Sequence, residues 1–339
     1  MRGFGSDNHA PVYPSIMEAL LKVNKEHEPS YGTDSITEAC KNIFKQNFGP
    51  SSESFFVFNG TAANILSLRA LIRPHESCLV TDISHLNTDE CGAPEAFSGK
   101  LIPVLSRNGK FIFEELEKKL IRLGDQHYSQ PKAISITQPT EYGTVYSYEE
   151  LEKIISWAKK HHLYVHIDGA RFTNALYFLN TTFQEFCTKL DIDIISFGGT
   201  KNGLMFGETI IILNKCLQKD FKYIRKHLAQ LPSKTRYLGA QFLAYLNENT
   251  HFKIAQNSCD MATYLKEQIE THCRDFTITQ PVESNVVFCK IPKKYIKPLK
   301  QKYFFYVWDE HTFECRLMTS WDTQKEDIDG FIKAYKDLP

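Results

Sequence analysis

The sequence has no apolar run approaching the roughly 18 residues that cross a bilayer, and its opening, Met1-Arg-Gly-Phe-Gly-Ser-Asp7, carries no apolar signal region. Neither sign of charge prevails. Forty basic residues balance forty acidic ones, so the global field expected of a nucleic-acid or membrane-surface binder is missing. The nine cysteines are scattered, odd in number and without a C-x-x-C pair. That argues against a disulfide or zinc framework and for thiols used as small apolar residues in a reducing compartment, so a cytoplasmic location is expected. No G-x-G-x-x-G follows a strand and no G-x-x-x-x-G-K-[ST] occurs, which weakens both common nucleotide-loop readings. There is no internal repeat and no low-complexity linker. What remains is a chain of 339 residues with ordinary globular composition, long enough for a sizeable core and roughly two domains.

The stretch Ile192-Asp-Ile-Ile-Ser-Phe-Gly-Gly-Thr-Lys201-Asn-Gly203 organises the reading. A short apolar, β-branched run without alternation predicts a buried parallel strand. The glycines after it allow a tight turn and a close approach, and a single lysine follows. A lysine at the carboxyl end of a strand stands where open α/β sheets bind their ligands, although most lysines are solvated surface residues.

Residues 1–15 read as an arm. Helical spacing predicts helices from Pro14 to about Glu26 and from Thr37 to Phe48, and Ser54–Asn59 reads as a strand. That strand runs into Gly60-Thr61-Ala-Ala-Asn64, which opens the helix to Leu71. A strand ending in Asn-Gly-Thr before a helix offers free N–H groups, a hydroxyl and a helix dipole to an anion, or else is simply a well-capped helix. Ser77–Thr81 is a strand leading to a polar loop with His85, Asp89 and Glu90. No second histidine stands at ligand spacing, so no metal is expected there. Lys132–Thr137 is another strand, preceded by a loop that carries His127. Tyr148–His161 is an amphipathic helix. Tyr164-Val-His-Ile-Asp168-Gly-Ala-Arg171 then presents an aspartate and an arginine at a strand end, a surface ion pair or part of a site.

An anion cradle, a strand-end aspartate and a strand-end lysine, in that order, match the needs of pyridoxal 5'-phosphate. Its aldehyde takes a lysine amine, its pyridine nitrogen a carboxylate, and its phosphate a helix N-terminus. Alternating strands and helices from 54 to 213 suit a large, mostly parallel α/β domain. After about residue 235 the pattern changes to helices near 235–248 and 252–273, short strands at Asn285–Cys289, Phe304–Val307 and Cys315–Thr319, and a last helix at 325–336. The expected division is an arm at 1–15, a large domain at 16–235 and a small α+β domain at 236–339.

The ordered motifs Ser6-Asp-Asn8, Tyr31-Gly-x-Asp34, Phe58-Asn-Gly-Thr-Ala-Ala-Asn64, Ser84-His-x-x-x-Asp-Glu-Cys-Gly-Ala-Pro94, Ile136-Thr-Gln-x-Thr-Glu-x-Gly-Thr-Val-Tyr146, His166-Ile-Asp-Gly-Ala-Arg171, Phe197-Gly-Gly-Thr-Lys-Asn-Gly203 and Arg316-Leu-Met-Thr-Ser-Trp-Asp322 run nearly end to end. Together they resemble the low-specificity L-threonine aldolases of the aspartate-aminotransferase-like, fold type I, pyridoxal-phosphate superfamily. The resemblance implies an α/β large domain with a mostly parallel seven-stranded sheet and a small C-terminal domain that closes the site. It implies that Lys201 holds the cofactor as a Schiff base, Asp168 pairs with its ring nitrogen, His85 stacks on its ring, and Gly60, Thr61 and Thr200 hold its phosphate. Ser6, Arg171 and Arg316 would clamp the substrate carboxylate, and His85 or His127 would take the β-hydroxyl proton, with Asp89 as an orienting group.

Two features depart from the better-known branch. Thr200-Lys201-Asn202 stands for its Ser-Lys-Gly, and Leu231-Pro-Ser-Lys-Thr-Arg236 for its glycine-rich Gly-Gly-Gly-Met-Arg segment. Lys234 or Arg236 is therefore expected at the phosphate, across a subunit interface, with Tyr31 reaching a neighbouring chain in at least a dimer and, by resemblance, a tetramer. The expected activity is retro-aldol cleavage of L-threonine or L-allo-threonine to glycine and an aldehyde. The alternatives are β-elimination or transamination on the same scaffold, or a catalytically silent binding protein.

Overall fold

The structure, a computed structural model, describes residues 3–338. Seven strands build the main sheet: β1 (Glu53–Val57), β2 (Glu76–Thr81), β3 (Lys100–Val104), β4 (Gln130–Thr137), β5 (Tyr164–Gly169), β6 (Ile194–Phe197) and β7 (Glu208–Ile212), in spatial order β1-β7-β6-β5-β4-β2-β3. The neighbours β3, β2, β4, β5 and β6 pair in parallel, whereas β7 runs antiparallel to both β1 and β6. Strand β6 is buried along its whole length, as its unalternated apolar run predicts.

The expected helices form with shifted ends: α1 (Pro14–Val23), α2 (Ser35–Phe48), α3 (Gly60–Leu71) and α4 (Tyr148–Lys160). Helix α2 starts where Asp34 accepts the Thr37 N–H at 2.7 Å, and α4 where Ser147 and Glu150 form a reciprocal capping box. Strand β3 escapes the periodicity because Pro103 interrupts it. The edge of a sheet is where a strand tolerates that residue.

A second, four-stranded antiparallel sheet contains β8 (Thr277–Ile278), β9 (Val286–Lys290), β10 (Tyr306–Asp309) and β11 (Glu314–Met318), in the order β8-β9-β11-β10. Helices α5 (Arg236–Leu246), α6 (Thr250–His272), α7 (Lys293–Lys302) and α8 (Lys325–Lys336) complete this half. The cores do not divide at 235. Leu238, Phe242, Tyr245 and Leu246 of α5 and Ile254 of α6 pack into the core of the main sheet, whereas Ala262, Leu265 and Ile269, later on α6, pack into a second core.

The arm is ordered and bridges both cores. Phe4 is buried in the second, its N–H bonding the Phe304 carbonyl at 2.7 Å, while the Tyr13 N–H bonds the Gly203 carbonyl at 2.8 Å. None of the helices among the described residues is long and apolar enough to cross a membrane. All nine cysteines are free thiols.

Candidate active site

The carboxyl ends of β2, β4, β5 and β6 and the N-terminus of α3 surround a cleft of about 270 Å³. Sheet order sets its walls. The loops after β2 and β4 stand on one side, the turn after β6 on the other, and β5 runs between them.

Lys201 enters from the β6 side. Gly198 lies against the Ala170 carbonyl, where any Cβ would overlap it, and Gly203 closes the short helical turn Thr200–Asn202 at φ +88°. Asn202 anchors that turn by donating to the carbonyls of Ala170 and Gly198, each at 3.0 Å. Burial, and then the nearby Arg171 charge, push the Lys201 ammonium below its ordinary pKa against the pull of Asp7, Asp168 and Glu208. A depressed lysine is a better nucleophile.

Asp168, buried at the end of β5, accepts from the Ala170 N–H at 3.2 Å and from Asn64 Nδ2 at 2.9 Å. The same amide donates to Glu90 Oε1 at 2.8 Å, and that oxygen pairs with His85 Nδ1 at 2.8 Å. One chain of contacts thus joins Asp168 to His85. The Glu90 bond raises the His85 pKa and outweighs burial, while burial pushes Glu90 up against its bonds to His85 and Asn64. Below Asp168, on the same face of β5, His166 sits between the Ser135 and Ser196 hydroxyls at 2.8 Å each. Burial depresses it to about 4, so it is a neutral support.

At the opposite end of the cleft Asn59 caps α3, accepting the Ala62 N–H at 2.9 Å. The Gly60 and Thr61 N–H groups belong to the first turn, which has no intrahelical acceptors, and the space beside Gly60 is open. Thr200 Oγ1 accepts the Gly207 N–H at 3.0 Å in the same region. An open anion cradle, a buried carboxylate and a desolvated lysine around one cavity fit the phosphate, ring nitrogen and aldehyde of the expected cofactor.

Lys201, Asp168, His85, Gly60, Thr61, Thr200 and Arg171 therefore line one cleft. The other expected residues do not. Ser6 caps the short turn Asp7–His9, accepting the Asn8 N–H at 3.2 Å, and faces a neighbouring groove. Arg316, on β11, stacks on Tyr306 and Trp308, donates to the Gly5 carbonyl at 3.3 Å and leaves Nε buried without a partner. Asp89 is exposed, and the carboxylate that reaches His85 is Glu90, because the turn after Thr88 points the later side chain inward. His127 is exposed, its N–H tied to Asp125 at 2.9 Å in a loop before β4, outside the cleft. Tyr31 and Lys234 are exposed, and Arg236 donates to the Glu26 carbonyl at 3.1 Å.

Asn8, Asn64, Glu90, Glu141, Ser196 and Glu208 line the cleft without having been assigned a role from the sequence. Most stand inside the motifs quoted above. A polar letter in a motif does not reveal which way its side chain faces.

A family model described as beta-eliminating lyase matches residues 3–293. The chain is 37% identical over 331 residues to a low specificity L-threonine aldolase of Pseudomonas aeruginosa, covering 96% of this chain and 94% of that one. A structure of Leishmania major threonine aldolase superposes with a TM-score of 0.93 at 29% identity, covering 99% of each chain. Cystalysin of Treponema denticola, a structure that contains pyridoxal 5'-phosphate, shares the fold at a TM-score of 0.71 and 16% identity, over all of this chain and 92% of that one. The chain belongs to the β-eliminating lyase family, alongside the low-specificity L-threonine aldolases.

Proposed function

We propose that this protein is a pyridoxal-phosphate-dependent lyase of fold type I that cleaves the Cα–Cβ bond of L-threonine, L-allo-threonine and related β-hydroxy-α-amino acids, releasing glycine and an aldehyde. The observation that carries this reading is the convergence of Lys201, Asp168 and Arg171 on one cleft in a chain so close to the aldolases. When bound, the cofactor supplies an electron sink for the pair left on Cα.

Lys201 would offer the amine that anchors it, and Asp168, fixed by Asn64 and the Ala170 N–H, would pair with its ring nitrogen and keep that nitrogen protonated. The α3 N-terminus and Thr200 would hold the phosphate, and His85 would stack on the ring. Arg171 would receive the substrate carboxylate from the cleft wall, and Arg316, outside the cleft lining, lies close enough to Arg171 to add its charge. Burial and the Arg171 charge both depress the Arg316 guanidinium, a like-charge arrangement that an incoming carboxylate relieves. Holding that carboxylate would fix which bond at Cα is presented for cleavage.

We also infer two domains that divide within α6, a cytoplasmic location consistent with nine free thiols, and a homo-oligomer of at least two chains, extended to a tetramer as the resemblance implies. An apolar groove with Met17, Leu21, Phe58, Met205 and Phe206, all partly exposed, lies beside the anion cradle and supports a second copy there. That copy would bring Tyr31 and Lys234 or Arg236 to the neighbouring site.

The test is to load the protein with pyridoxal phosphate, add each threonine isomer separately, and quantify products. Equimolar glycine and acetaldehyde, lost in Lys201→Ala, is the expected result. Ammonia with a keto acid would shift the assignment to elimination or transamination.

A further inference from the structure

Cleaving a β-hydroxy amino acid requires a group that removes the hydroxyl proton, and His127, one of two expected candidates, lies outside the cleft. The wall formed by the loops after β2 and β4 holds a different group. Glu141 follows β4 in the segment Thr137–Glu141, on the side of Asp168 opposite Lys201. Its Oε1 accepts the His85 N–H at 2.9 Å and the Thr137 hydroxyl at 2.9 Å, which fixes the plane of the carboxyl group. Its Oε2 is shielded from water and has no protein partner. A buried carboxyl oxygen left unbonded in the wall of a binding cleft is costly unless a ligand supplies a donor. A hydroxyl on Cβ is such a donor.

We propose that Glu141 is a catalytic residue that accepts the proton of the substrate's β-hydroxyl. The role rests on the aldolase reading. As the Cα–Cβ bond breaks, the hydroxyl proton passes to Glu141 Oε2 and the O–H electron pair becomes the second bond of the aldehyde carbonyl. The Cα–Cβ pair stays on Cα, which takes up one proton, so threonine becomes glycine and acetaldehyde with no net proton change.

The electrostatics of Glu141 suit that role. Burial pushes the Glu141 carboxyl up to about 7, near the value a base needs at neutral pH. The groups facing it are Asp168, which pushes it further up, together with Arg171, Tyr146 and His85. His85 has Nδ1 committed to Glu90, which leaves only Nε2 for a substrate, and its raised pKa lowers the share of unprotonated imidazole at neutral pH.

The experiment compares wild type, Glu141→Gln and His85→Phe as cofactor-loaded enzymes. Three readouts are taken: acetaldehyde from L-threonine across pH, exchange of the glycine α-proton in heavy water by NMR, and glycine affinity by calorimetry. Glycine has no hydroxyl, so its exchange and binding need every part of the site except the proposed base. The expected result for Glu141→Gln is cleavage reduced by about 10²–10³-fold, with the acid limb near pH 7 lost. Glycine exchange and affinity should stay within about threefold of wild type. An equal loss in all three readouts would make Glu141 a structural support of His85 and overturn the proposal. Full cleavage by Glu141→Gln with loss in His85→Phe would overturn it in favour of the imidazole. Wild type that exchanges glycine without releasing acetaldehyde would overturn the aldolase reading itself and this role with it.

Discussion

Arg171 is held by both carboxylate oxygens of Asp7, a residue 164 positions earlier, with Nε on Oδ2 and Nη2 on Oδ1 at 3.0 Å. The arm thereby supplies the counter-ion of a guanidinium in the cleft wall through Nε and Nη2. Asn285 adds a third bond to Asp7 at 3.2 Å, tying the arm to the second sheet as well. Burial pushes the Asp7 carboxyl up, and the Arg171 charge and hydrogen bonds outweigh it, so its pKa lies below the ordinary value.

Replacing Asp7 with asparagine should leave Arg171 as a buried, half-partnered charge. Urea unfolding at pH 7 should show a loss of about 3 kcal/mol, the usual cost of breaking such a pair. Because the Asp7 pKa is depressed, its contribution is present above the ordinary aspartate value and disappears as pH falls through the lower, folded one. Wild type and variant should therefore converge in acid.

Glu90→Gln should return the His85 pKa toward that of a free imidazole, since the Glu90 bond is the largest influence on it. Histidine NMR titration would measure the fall directly. Threonine cleavage should drop about tenfold, the worth of one hydrogen bond to a charged group. An unchanged His85 titration would show that the 2.8 Å contact carries no energy.

Opposed titrations should hide one another in the cofactor-free protein. Burial raises Glu208 from 4.5 to about 7, so the folded chain keeps a proton that the unfolded chain releases, and stability falls as pH rises through that window. His166 and His251 are depressed to about 4, so stability also falls as pH drops from 6.5 toward 4. Glu208→Gln removes part of one side of this balance, Glu141 remaining on it in both proteins. The variant should exceed wild type by about 2–3 kcal/mol at pH 8, with little difference at pH 4.5, measured by urea unfolding.

Leu21→Glu and Met205→Glu place charge in the apolar groove beside the anion cradle. If a second copy covers that face, sedimentation should show monomers and cleavage should fall at least about tenfold. An intact oligomer with both charges in place would locate the interface elsewhere.

The roles of neighbouring letters were legible unevenly. Lys201, Asp168 and Gly60 could be placed from the sequence because each sits where a strand stops or a helix starts, and those boundaries are written in local periodicity. Asp89 and Glu90 are adjacent carboxylates, and only the turn geometry decides that the second meets His85. His127 was a polar letter in a loop, and loops carry no periodic signal that says which way they fold.

The sequence by itself determined most of the elements, the mostly parallel sheet and the place of Lys201 at a strand end, because hydrophobic period and glycine placement are local properties. The tertiary structure alone decided what shares the cleft. Asp7 meets Arg171, Asn64 bridges Glu90 to Asp168, and Glu141 holds His85, across separations of 164, 26, 104 and 56 residues. Such contacts follow from strand order and crossover, which place distant loops on one edge of the sheet. The division of the cores was settled the same way. Helix α5 reads as the start of a new pattern, yet its apolar face finds its partners on α1 and α2, in the core of the main sheet.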